Sequence, residues 1–293
     1  MSAQAQQGSI WLRPPEKKET EVLVLQDHEF DMLVRYVKEN FGINLDQKKV
    51  LVEGRLGLHV SEAGYGSYQE YLQKVFADPT GSEVSNLVTR LTTNHTFFMR
   101  EENHFKFLRQ KVLPDLAKSS RDKDIRIWSA GCSSGEEPFT ISMVLHEHLG
   151  FSKSQWDTRI LATDISTRAL DLARKARYPA SAMESLPPGW AGRYFRKVSD
   201  TGYEVLQSLR DEVIFRSLNL VQDVFPFKKK FHVIFCRNVM IYFDRKTRND
   251  LVRRFYQVTE PGGYLFIGHA ETLDREDSQY RYIQPAIYQK PTS

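Results

Sequence analysis

Arg237, Asn238 and Tyr242 interrupt an apolar segment: FHVIFC runs straight into RNVMIYF. FHVIFC has the length and composition of a buried strand, and DRKTRNDLVRRFY after it has those of a helix. Polar side chains at the carboxyl end of such a strand stand where open α/β sheets bind ligands. Other segments end the same way. IRIWSAG leads into GCSSGEEPF, RILATDIS ends in Asp164, and EVIFRSLNL ends in Asn219.

The chemistry these residues offer is that of a nucleoside pocket. Gly131 and Gly135 flank a tight turn between a strand and a helix, the opening of a nucleotide-binding unit. Ser134 has capping-box spacing to Glu137, and Pro138 is tolerated in a first helical turn. The glycines do not form GxGxxG, which argues against a dinucleotide. Glu136, beside the helix N-terminus, repels a pyrophosphate and attracts an ammonium group. That points to a cofactor carrying an amino acid, such as S-adenosyl-L-methionine; a carboxylate that only complements the helix dipole is the other reading. Asp164 suits ribose hydroxyls, or caps the helix STRALDLARKA, as Ser166 also can. Asn219 and Asn238 carry amides that both donate and accept, which suits an adenine edge. Cys132 and Cys236 have no His or basic helper and read as small buried fillers. His95 reads as a packing or turn residue. The eight His show no metal-ligand spacing, so no metal is expected.

The elements that position these residues follow from periodicity. Beyond Arg100 a helix over 101–116 precedes IRIWSA, RILATD, EVIFRSL, FHVIFC and YLFIGH, apolar runs that alternate with helical segments. This alternation predicts a mostly parallel sheet covered on both faces, a Rossmann-like α/β domain over 94–293. YRYIQPAIYQK alternates without a following helix and is expected to close the sheet as an antiparallel strand. The rhythm breaks over about 178–210, where a helix and the hairpin YFRKV–SDTG–YEVLQSL form an inserted β-subdomain. Residues 27–93 read as four helices: Phe30, Leu33, Val34 and Val37 show the first period, with Asp27 at its start and Gly42 at its stop. Residues 1–26 read as a flexible polar tail.

Bulk numbers exclude other classes. With 41% hydrophobic and 27% charged residues the chain is that of a soluble globular protein. It has no apolar run long enough for a bilayer and no secretory signal. Two cysteines rule out a disulfide framework, so the cytoplasm is the expected location. A net charge of +4 without a basic aromatic stripe does not call for nucleic acid.

Taken together, LTTNHTFFMRE, WSAGCSSGEEPF, ATDIS, SLNL, IFCRNVMIYFD and PGGYLFIGHAE resemble the CheR family of chemotaxis receptor methyltransferases, over nearly the whole chain from about Asp27 to Tyr288. The resemblance implies methyl esterification of glutamate side chains on the cytoplasmic helices of chemoreceptors, with S-adenosyl-L-homocysteine as product. By motif it implies that Asn94, Thr96 and Arg100 serve the cofactor and substrate sides. It implies further that Glu136 receives the methionine ammonium, Asp164 the ribose, and Asn219, Leu220, Arg237 and Asn238 the adenosine and methionine. Tyr242 is implied near the transferred methyl. Some members hold a receptor C-terminal peptide on the inserted subdomain; the short SDTG turn here speaks against that tether. A monomer without membrane insertion is expected.

A glutamate, with an ordinary pKa of about 4.3, is ionised at neutral pH and needs no general base. It needs alignment and desolvation. Arg100 offers a charge-assisted contact to a carboxylate, and Tyr242 a hydrogen bond to one acceptor oxygen. Lys48, Lys49, Arg55 and His59 read either as a basic face for an acidic receptor helix or as an ordinary solvated helix face. The rival readings are a methyltransferase with another substrate and a non-catalytic cofactor-binding module. CRNVMIYF lacks the Pro-Pro-aromatic turn of enzymes that methylate amino groups of nucleic acids.

Overall fold

Leu25 is fully buried and Gln26 closes a capping box with Glu29, so the last residues of the stretch expected as tail are packed and cap the first helix, which starts at Asp27 as expected. The computed structural model describes residues 23–78, 81–120 and 122–292, and the rest of that tail lies outside the described residues. Four amphipathic helices follow: α1 (Asp27–Phe41), α2 (Lys49–Glu62), α3 (Tyr68–Phe76) and α4 (Ser82–Leu91). Ser67 caps α3 by accepting from the Glu70 N–H. Leu33, Val37, Val52, Leu56, Leu72 and Leu87 fill a common core. Gly42 ends α1 at φ +67, and a side chain there would collide with Val221 and Thr247.

The helix expected over 101–116 is divided into α5 (Glu102–Phe107), a π turn over Leu108–Val112 and α6 (Leu113–Ser119). Pro114 is the reason. It has no N–H for the carbonyl four residues back, and its ring crowds that carbonyl, so the backbone widens. Next come β1 (Ile127–Ala130), α7 (Glu136–Leu149), β2 (Ile160–Asp164) and α8 (Thr167–Lys175). The insert holds β3 (Arg177–Pro179), α9 (Trp190–Tyr194), β4 (Phe195–Ser199) and β5 (Gly202–Val205), then a single helical turn, α10 (Gln207–Arg210). It is a three-stranded antiparallel sheet in the order β3-β5-β4, one strand more than the expected hairpin. The chain returns through β6 (Val213–Ser217), β7 (Phe231–Cys236), α11 (Arg245–Val258), β8 (Thr259–Ile267), β9 (Arg281–Gln284) and β10 (Ile287–Gln289).

The main sheet runs β6-β2-β1-β7-β8-β10-β9. Its first five strands are parallel, and β10 pairs antiparallel with β8. The expected closing strand is thus a hairpin, β9 turning into β10 through Ala286 at φ +63. Side chains alternate between two cores, as a pleated strand requires. Ile127, Val233, Phe235 and Phe266 face α5–α7. Trp128, Ile234, Cys236 and Leu265 face α11.

The helical unit sits on the carboxyl ends of the strands. Ser85 of α4 accepts the Thr167 N–H at 3.0 Å, and Thr89 donates to Ser166 at 2.7 Å. Asn44 N–H donates to the Tyr242 carbonyl at 2.7 Å, next to an Ile43–Phe243 bridge. The Asn219 amide donates to the Asn40 carbonyl at 2.7 Å.

Candidate active site

A cavity of about 410 Å³ opens between the helical unit and the strand ends. Its floor is the glycine turn after β1. Gly131 stands at φ +89, where a side chain would collide with Val239. Ser134 does not cap α7 as its spacing suggested: Gly135, at φ +97, takes the cap position, and the Ser134 hydroxyl donates to Glu136. The insert secures the same turn, since the Tyr178 hydroxyl donates to the Ser134 carbonyl at 2.8 Å.

Asn94, Thr96, Arg100, Gly131, Asp164, Asn219, Leu220, Arg237, Asn238 and Tyr242 all border the cavity, and Glu136 does not. The carboxylate on the wall is that of Glu137. Glu136 is buried 2.7 Å from the Ser134 hydroxyl. The carboxylate that borders the cavity is thus one position beyond the one expected: successive residues on a helix point about 100° apart, and only the second Glu turns inward.

Asp164 stands at the end of β2. Its two oxygens accept the N–H groups of Ser133 and Ser166, each at 2.8 Å. The helix cap itself is Ser166, which accepts from Ala169. Burial pushes the Asp164 carboxyl up and these N–H groups act against it. A carboxylate has about four acceptor positions, so these N–H groups leave capacity for a hydroxyl donor.

Arg237 is the most heavily bonded side chain of the site. Its guanidinium meets Glu137 Oε2 and Glu101 Oε2, each at 3.2 Å, and the Arg100 carbonyl, and it lies over the Phe105 ring. Burial raises the Glu137 carboxyl, opposed by Arg237 and Ser129. Burial also acts to raise Glu101, but Arg237 and the His269 N–H outweigh it and leave that carboxyl low. Arg237 thus holds other wall residues in place, with each of its three nitrogens already engaged. Asn238 follows at φ +58, its side chain 3.4 Å from Glu101.

Tyr242 is not free to serve an acceptor as it stands. Its hydroxyl accepts the Thr93 N–H at 2.8 Å and donates to the Thr93 carbonyl at 3.1 Å. It latches the segment that carries Asn94, Thr96 and Arg100. Arg55 grips that segment from α2 through the Leu91 carbonyl and the Thr93 hydroxyl. Lys49 pairs with Asp27 and Lys48 donates to the Asn44 carbonyl, so much of the supposed basic face is bonded within its own unit. Arg100 donates to the His95 carbonyl at 2.7 Å, and His95 itself is on the exposed rim. Cys132 and Cys236 are buried fillers, their thiols pushed well up by burial.

A parallel sheet of this order, with a glycine turn, a strand-end carboxylate and a cavity at the carboxyl ends, defines an S-adenosylmethionine-dependent methyltransferase. Residues 94–288 match the family model for the CheR methyltransferase SAM-binding domain, and residues 28–92 that for the CheR methyltransferase all-alpha domain. The chain belongs to the CheR methyltransferase family. It is 43% identical over 266 residues to a chemotaxis protein methyltransferase of Borreliella burgdorferi, covering 89% of this chain and 94% of that one. It is 36% identical over 277 residues to the chemotaxis protein methyltransferase of Salmonella typhimurium, covering 92% of each chain.

Two results test this geometry. His104 is 1% exposed, and burial and Arg237 push its pKa well below the ordinary histidine value, with Glu101 opposing and His269 assisting. The folded state therefore keeps His104 neutral where the unfolded chain takes up a proton, so its contribution is full above about pH 6.5 and is lost as pH falls. His104→Gln is expected to flatten the fall in melting temperature between about pH 7 and about pH 5 relative to wild type; parallel curves would contradict this. Tyr242→Phe removes two latch bonds worth about 1 kcal/mol each. Calorimetry is expected to show weaker S-adenosyl-L-homocysteine binding as well as slower turnover, whereas unchanged binding would free the latch of any role in holding the cofactor side.

Proposed function

We propose that the chain transfers the methyl group of S-adenosyl-L-methionine to glutamate side chains of chemoreceptor cytoplasmic domains, forming glutamate methyl esters. The relatives named above support the chemotaxis context. The observation that carries the choice of acceptor is how the carboxyl and thiol groups lining the cavity are committed. Glu137 is bonded to Arg237 and Ser129, Asp164 to two peptide N–H groups, and the Cys132 thiol is held protonated. An amine or hydroxyl acceptor has to lose a proton; a carboxylate has none to lose at neutral pH.

The bound cofactor supplies an electrophilic methyl on a sulfonium. Glu137 is placed to receive the methionine ammonium and Asp164 the ribose hydroxyls. Asn219, Leu220 and Asn238 border the part of the cavity left for the base. Arg100, on the same wall, orients the acceptor or cofactor carboxylate, and Arg237 fixes Glu137. The helical unit, which we take as 27–93, closes the cavity and excludes water from the reacting groups. The catalytic unit is then 94–293, with the insert at about 178–210. Chemoreceptor helices place the enzyme in the cytoplasm, and no helix among the described residues is long and apolar enough to cross a membrane. A tether to a receptor C-terminal peptide is not part of the proposal.

Glu137→Gln is expected to raise the S-adenosyl-L-homocysteine Kd about ten-fold or more, the loss of a charge-assisted contact, while Glu136→Gln leaves it within about two-fold; the reverse order would return the role to Glu136. The decisive assay uses S-adenosyl-L-methionine labelled in its methyl group and receptor cytoplasmic fragments. Alkali-labile label released as methanol and mapped to glutamates supports the acceptor assignment. Alkali-stable label would move it to another nucleophile.

A further inference from the structure

Glu271 follows β8 and has no part in the reading above. It is 7% exposed, and among the described residues no Lys or Arg pairs with it. Its partners are peptide groups. Oε2 accepts the N–H of Asn238 at 3.0 Å and that of Gly268 at 2.5 Å, and Oε1 accepts the N–H of Ile241 at 3.1 Å. One carboxylate thus joins the turn after β7 to the turn after β8. A buried anion balanced by peptide dipoles alone tolerates little displacement, because each N–H it loses is left without a partner. Asn238 stands at φ +58, a backbone state that a non-glycine residue keeps only when its surroundings enforce it. Gly268 is part of the same arrangement. A side-chain carbon there would stand 2.5 Å from Asn238 Nδ2, 2.8 Å from the Asn238 peptide nitrogen and 2.9 Å from Glu271 Oε2.

We propose that Glu271 is a positioning residue for methyl transfer: its carboxylate staples the 238–241 turn to the β8 turn and so sets where Arg237, Asn238 and Tyr242 stand on the cavity wall. The inference rests on the methyltransferase reading. Arg237 immediately precedes the stapled turn and Tyr242 immediately follows it. Release of the turn therefore displaces the guanidinium that holds Glu137 and the hydroxyl that latches Thr93.

The test uses the full chain. Glu271→Gln keeps the shape but turns an amide NH2 toward peptide N–H groups. Gly268→Ala disturbs the same staple and keeps the charge. Both are expected to weaken S-adenosyl-L-homocysteine binding about ten-fold and to speed amide exchange at Asn238 and Ile241, measured well below the melting temperature. A purely structural role lowers the melting temperature and leaves binding by the folded protein unchanged, and that result for either variant overturns the proposal. If Glu271→Gln does not fold, Gly268→Ala decides alone. Failure of wild type to bind S-adenosyl-L-homocysteine defeats the underlying methyltransferase reading, whereas wild-type binding with unaffected variants defeats only the staple.

Discussion

The site is organised around the buried guanidinium of Arg237. A charge removed from water has to be paired, and breaking such a pair leaves an uncompensated ion inside the protein. Arg237 is paired with Glu137 on α7 and Glu101 at the start of α5. It also holds the Arg100 carbonyl. A single fork therefore fixes the end of β7, the first turn of α7 and the segment that joins the helical unit to the sheet. Two carboxylates face this guanidinium, and His104 beside them is held neutral by burial and by Arg237. Arg100, on the same cavity wall, adds a second positive charge that acts on Glu137.

The helical unit completes the cavity. Open α/β sheets leave a crevice at their strand ends, and here α1, α4 and residues 41–44 close it. The seams combine hydrogen bonds with apolar packing: Ser85 and Thr89 bond to the start of α8, Asn219 to Asn40 and Asn44 to Tyr242, while Ile165, Tyr242 and Phe243 pack against the helical core. Tyr242 takes part in two of these joins at once, its carbonyl to Asn44 and its hydroxyl to Thr93. A residue that looked like a lone tyrosine in an apolar run is a junction between three segments.

The parallel strands were legible because each is a continuous apolar run ending in a polar residue, and that pattern has one good structural solution. The helical front was legible from its period. What escaped the sequence depends on direction rather than on type. Glu136 and Glu137 are the same residue in neighbouring places, and Gly135 at φ +97 decides which of them meets the cavity. Glu271 was visible only as the end of PGGYLFIGHAE, since its partners are backbone N–H groups, which carry no residue signature. The π turn ahead of Pro114 was hidden because the apolar spacing continues through it, although the proline itself was a signal that could have been used.

Backbone strain follows the same map. Among the described residues, Met99, Glu101, Ser133 and Asn238 are non-glycine residues at positive φ that lie at or beside the cavity. Each such residue costs on the order of 1 kcal/mol or more and persists only where neighbours over-determine it. Their neighbours here are the groups already described. Arg237 holds Glu101, Asp164 accepts the Ser133 N–H, and Glu271 accepts the Asn238 N–H. At Ser133 and Asn238 a carboxylate accepts the strained residue's N–H, at Glu101 the ion pair with Arg237 holds the side chain, and at Met99 the N–H donates to the Thr140 hydroxyl at 3.3 Å. At three of the four, strain and a charged side chain therefore coincide at the wall against which a cofactor is bound.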